Sequence, residues 1–180
     1  AKAAGVTRMV TICTRLRNEP KVRAIAEAHP EVFYAAGTHP MSAAEEPLTS
    51  VAELVALAAH PKFVGIGESG LDYHYTADSK AIQQTSLRIH IEAAQETGLP
   101  LIIHARGADD DMAAILTENF KRHPYPCVMH CFSSGEGLAR AAGASTSSAR
   151  TDARIIEFPV ASSSTRAACV AGTFDTKGRE

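Results

Sequence analysis

The stretch that decides the fold is Phe63-Val64-Gly65-Ile66-Gly67-Glu68-Ser69-Gly70-Leu71-Asp72. An apolar run with no helical period leads into a carboxylate, two glycines and a second carboxylate. It reads as a buried strand, 63–67, that ends in chemistry. Three other runs share this form. Residues 32–37 lead to Thr38-His39-Pro40, 100–103 lead to His104-Ala105-Arg106, and 127–129 lead to His130-Cys131-Phe132-Ser133. A fifth apolar run, 8–14, precedes them.

Between the runs lie segments suited to amphipathic helices: 19–28, 48–59, 79–97, 109–122 and a shorter 135–142. Leu54, Leu57 and Ala58 recur at the spacing of one buried helix face. Gly98 followed by Pro100 stops the third helix. Strands alternating with helices predict βα units and a parallel sheet covered by helices. Five units are visible. The polar strand ends His39, Glu68, His104 and His130 are separated by 29, 36 and 26 residues. A (β/α)8 TIM barrel repeats about every 31 residues, so the spacing favours a partial barrel, although a doubly wound sheet has similar periods.

In either architecture the carboxyl ends of the strands form one rim, so these four residues are expected to converge. Neutral imidazole suits zinc, iron and manganese, and carboxylate oxygen also accepts magnesium. A carboxylate bridges two cations more readily than an imidazole does. The residues therefore suggest Glu68 as the bridging and catalytic group, with His104 and His130 on one metal. Two such cations clamp the oxygens of a displacement. Arg106, two residues beyond His104, is placed to hold a phosphate bidentately. His39 precedes a proline at a turn, where structural and functional roles are equally open, and Asp72 suits an Asx-turn. His29, His60 and His123 read as helix-end residues, and His90 as a packed residue of the long helix. Cys127 and Cys131 lack the CxxC spacing of a metal pair and read as small hydrophobes.

Composition narrows the function classes. Of 180 residues, 18 are Lys or Arg and 20 are Asp or Glu, a net charge of −2 that advertises no broad duplex-binding surface. Residues 1–142 hold 13 basic and 16 acidic groups, a balance of −3 that suits a narrow, cation-filled pocket. No apolar run is long enough to span a bilayer, so no membrane role is expected and a cytoplasmic location is the default. Four cysteines are too few for a disulfide scaffold. All eight histidines fall within residues 1–142. The Ser-, Ala- and Thr-rich residues 143–180 read as a separate tail of uncertain structure.

With these residues in view, the chain resembles the TatD family of metal-dependent hydrolases. The resemblance rests on Gly65–Tyr73, Leu101–Arg106, Met129–Ser133 and Ala36–Pro40, in that family's order and spacing, over about residues 5–142. It implies an amidohydrolase-like TIM barrel, two divalent cations (magnesium, manganese or zinc) and hydrolysis of phosphodiester bonds in DNA. It also implies that Glu68 bridges the metals, that His104 and His130 complete the second site, and that His39 and Arg106 lie near the substrate phosphate. Two elements of the family pattern are missing. No HxHxD motif opens the chain, and Thr151-Asp152-Ala153 lacks the Glu and Pro that flank the family's late aspartate. The expectation is a chain entered in mid-fold whose similarity fades after Ala142 and whose catalysis is weak or absent. The alternatives are a barrel hydrolase of a small-molecule ester, lactone or amide, and a non-catalytic barrel fragment. Oligomeric state is not legible.

Overall fold

The computed structural model describes residues 2–146, with side chains through Ala142. Five strands, β1 (Met9–Cys13), β2 (Val32–Ala36), β3 (Phe63–Asp72), β4 (Leu101–Arg106) and β5 (Cys127–Met129), alternate with five helices. The helices are α1 (Glu19–Ala28), α2 (Val51–Ala58), α3 (Lys80–Thr97), α4 (Asp109–Arg122) and α5 (Glu136–Thr146). All neighbouring strands are parallel, and they lie in the order β1-β2-β3-β4-β5. A doubly wound sheet reverses its strand order at a switch point. This sheet never does, which is the order of successive barrel units.

Local chemistry sets the helix limits, and α2 begins three residues later than the 48–59 expected from sequence. Ser50 and Glu53 form a reciprocal capping box at the start of α2. α4 opens on Asp109, Asp110 and Asp111 and closes on Lys121 and Arg122, charges that complement the helix dipole. Gly98 ends α3 at φ 69°, the left-handed geometry of a helix stop. The core lies between the sheet and its helices, where Tyr34, Leu54, Ile66, Leu71, Leu87, Ile91, Leu101, Ile103 and Leu116 are fully buried. Lys62 seals the end of α1 by donating to the carbonyls of Ala26, His29 and Val32.

Two strands run further than the sequence reading places them. β3 continues through Asp72 and β4 through Arg106, so Glu68, Asp72, His104 and Arg106 stand within the sheet and not just beyond it. The physical cause lies in the glycines. Gly67 pairs with Ile102 and Ser69 with Ile103, which leaves Glu68 as the extra residue of a bulge. Such a bulge re-aims one side chain without ending the ladder. Pairing then resumes at Gly70, opposite His104. A Cβ on Gly70 would lie 1.9 Å from the His104 carbonyl oxygen, so only glycine lets the strands close here.

Gly70→Ala is therefore expected to destabilise the fold by about 3 kcal/mol, the upper end of overpacking costs. Gly137→Ala, in α5 with nothing within 4 Å of the added Cβ, should be neutral or stabilising by about 0.5–1 kcal/mol. Urea unfolding of both variants followed by circular dichroism checks the contrast.

Candidate metal centre

The strand ends do converge, and Glu68 is their hub. Its side chain is 3% exposed, and its Oε1 faces His130 Nδ1 at 2.9 Å, His104 Nδ1 at 3.3 Å and His39 Nε2 at 3.9 Å. Burial alone would raise its pKa, but the hydrogen bonds to His104 and His130 outweigh burial and bring it down to about 2. Its second oxygen, Oε2, is buried and has no hydrogen-bond partner among the described residues. A buried carboxylate oxygen left open in this way is a ready acceptor for a cation.

The donors on His39, Glu68 and His104 lie within 4.8 Å of one another, close enough to hold one metal ion. His130 joins this group through Glu68. His104 is held from both sides, with Nδ1 toward Glu68 and Nε2 3.1 Å from Asp72 Oδ2. Burial opposes its charge, yet hydrogen bonds and attraction from Glu68 and Asp72 raise its pKa above the ordinary value. His39 behaves in the opposite sense. Burial, reinforced by repulsion from His104, lowers its pKa to about 4. The backbone N–H of Met41 donates to His39 Nδ1 at 3.3 Å, so Nδ1 carries the lone pair. A neutral His39 in this tautomer keeps its proton on Nε2, the nitrogen that faces the cluster.

Arg106 and Asp72 occupy the outer part of the rim, paired across β4 and β3. The exposed guanidinium of Arg106 lies over the Tyr75 ring, 4.6 Å from its centroid. Asp72 fills two roles with different atoms. Oδ1 accepts the N–H groups of His74 (3.0 Å) and Tyr75 (2.8 Å), the Asx-turn suggested by the sequence, while Oδ2 faces His104. Thr151-Asp152-Ala153 and the rest of the 147–180 segment lie outside the described residues.

The sequence profile of the family described as TatD related DNase matches residues 1–154. The chain belongs to the TatD family. It is 37% identical over 145 residues to the uncharacterized metal-dependent hydrolase TatD of Mycobacterium tuberculosis, covering 78% of this chain and 54% of that protein. It is 34% identical over 140 residues to the 3'-5' ssDNA/RNA exonuclease TatD of Cronobacter sakazakii, covering 78% of this chain and 53% of that protein. Among solved structures, the TatD homologue YJJV of Escherichia coli K12 superposes with a TM-score of 0.71 at 28% identity, over 79% of this chain and 55% of the other. The chain thus spans about half the length of the relatives it matches. No described helix is long and apolar enough to cross a membrane.

Two residues that support the site of this TatD-family chain were not read from sequence as parts of it. His90, fully buried on α3, accepts the Thr38 N–H at Nε2 (3.0 Å) and donates from Nδ1 to the Ser86 carbonyl (2.8 Å). It thereby anchors the backbone next to His39. Gln83, about two α3 turns upstream, accepts the Asp72 N–H at 2.8 Å and donates to the carbonyls of Asp72 and Thr76. Their only sequence signal is polarity on an otherwise apolar face of α3, which marks a satisfied core polar group as readily as a support for a site.

Burial drives the His90 pKa down to about 4 from an ordinary 6.5. The unfolded chain therefore binds more protons between those values, and stability should fall as pH drops from about 6.5 to 4. The His90 share of that loss should vanish in His90→Gln. His90→Leu should cost about 1–3 kcal/mol at pH 7 by stranding the Thr38 N–H. Urea midpoints measured across pH 4–8 for the three proteins check both outcomes.

Proposed function

We propose that this chain carries a divalent-cation-dependent phosphodiesterase site that acts on single-stranded DNA or a similar nucleic acid. The observation that carries the reading is the buried Glu68 carboxylate, with one oxygen among imidazoles and the other open. In this reading Glu68, His104 and His130 would hold a divalent cation. Once bound, it would supply Lewis-acid polarisation of a phosphoryl oxygen and a more acidic water. The metal-dependent hydrolase and exonuclease names of the relatives support the same class of chemistry.

The other residues divide the remaining work. His39 donates its Nε2 proton to a phosphate oxygen, because Met41 holds its other nitrogen in the acceptor state. Asp72 orients His104 by accepting from its Nε2–H at 3.1 Å, which leaves the Nδ1 lone pair of the neutral ring on the side of Glu68. Arg106 supplies planar N–H donors at the rim that match two phosphate oxygens. Among the described residues the one group of three metal-competent side chains whose donor atoms lie within 4.8 Å of one another is His39, Glu68 and His104, with His130 joined through Glu68, and the expected turnover is slow.

Titration of the protein with Mn²⁺ by calorimetry separates ligands from substrate-facing groups. His130→Ala and Glu68→Gln should weaken binding at least about tenfold, whereas His39→Ala should change it less than about threefold. The reverse ranking would make His39 the ligand and His130 its support. In parallel, the protein with Mn²⁺ should slowly release nucleotides from a labelled single-stranded oligonucleotide. Glu68→Gln should reduce that release at least about a hundredfold. Release that survives both EDTA and Glu68→Gln would overturn the assignment, as would no release at any cation concentration.

A further inference from the structure

The loop after β3 carries an aromatic residue whose backbone is held by the site's own carboxylate. Asp72 Oδ1 accepts the backbone N–H of Tyr75, while Oδ2 of the same side chain faces His104. Gln83 binds the Thr76 carbonyl and hydroxyl on the other side of the residue, so the chain is tied down before and after the ring. Tyr75 is 57% exposed. Arg106 lies over it at 4.6 Å, and His74 meets it edge-on at 4.6 Å. Single exposed aromatics are ordinary on protein surfaces. Tyr75 differs in being locked by hydrogen bonds beside the metal-binding donors and layered with a guanidinium.

We propose that Tyr75 and the Arg106 plane above it form a stacking seat for one nucleobase adjacent to the phosphate held at the Glu68 cluster. The inference rests on the nucleic-acid reading of the site and deepens it by naming what selects a nucleotide over a simple phosphodiester. Single-stranded nucleic acids are commonly held by bases stacked on aromatic rings or arginine planes, which tolerates any base because each has a π face. Charge cannot supply the selection here, since residues 1–142 are net acidic. Asp109 and Asp110 also line the cavity of about 540 Å³ that Arg106 opens onto. With residues 1–142 net acidic, a nucleotide preference here is drawn from local, short-range contacts, and the Tyr75–Arg106 pair offers both an aromatic face and a cation.

The test uses binding, so that it does not depend on turnover. Fluorescence anisotropy with Mn²⁺ compares a labelled single-stranded DNA oligonucleotide carrying hydrolysis-resistant phosphorothioate links with an abasic phosphorothioate strand of the same length and charge. The protein should bind the base-bearing strand about tenfold more tightly. Tyr75→Phe should preserve that advantage. Tyr75→Ala and Tyr75→Leu should abolish it while leaving the affinity for the abasic strand within about twofold. Equal binding of both strands by the unaltered protein, an advantage that persists in Tyr75→Ala, or no binding of either strand would overturn the seat. Loss of hydrolysis with intact base-dependent binding would instead count against the catalytic reading alone.

Discussion

A carboxylate shut away from water is the constraint around which this molecule is organised. An isolated ionised carboxylate in a protein interior is too costly to keep, and such a group either neutralises or acquires partners. Glu68 has acquired them. Imidazoles arriving on β4 and after β5 contact one oxygen, and a third from the turn after β2 stands nearby. The burial that makes the group expensive also strengthens each of these interactions, because the surrounding dielectric is low. Removing the convergence of strands would leave no way to hold the charge, so the sheet and the cluster are not separable features.

The long helix α3 gives the cluster its rigidity. It sends His90 to the backbone at Thr38 and Gln83 to the backbone at Asp72, bracing the ends of β2 and β3 from one scaffold. Both contacts are made by neutral polar groups buried among apolar neighbours, an arrangement that is stable only when every donor and acceptor is used. His90 uses both ring nitrogens. The strand ends therefore carry imidazoles and carboxylates whose backbones cannot drift, which is what a cation with short, directional bonds requires.

The likeness to TatD proteins extends over about half of the relatives' length, and the site described here draws on strands β2 to β5 of that shared region. Within it the division of labour follows proton position. His104, between two carboxylates, is biased toward charge, and His39, buried and repelled, is biased toward neutrality. Two histidines whose rings approach within 3.2 Å thus hold different protonation preferences because their neighbours differ, and His104 must give up its extra proton before it can bind a cation.

Much of this was legible in the linear chain. The alternation of apolar runs with amphipathic segments set the βα repeat. Gly98 with Pro100 set the end of the long helix, and the residues Glu68, His104 and His130 were marked because polar groups that bind metals followed apolar strands at a steady interval. These are local or periodic properties, and adjacent residues suffice to encode them. Strand order was not encoded locally, because a barrel and a doubly wound sheet share the same repeat length; only the observed sequence of neighbours separates them. Nor did the chain disclose that β3 continues past a bulge to Asp72, that α3 braces two strand ends, or that Met41 settles the tautomer of His39. Those depend on which backbone groups meet across separate elements, and hydrogen bonds between distant residues exist only once the chain has folded.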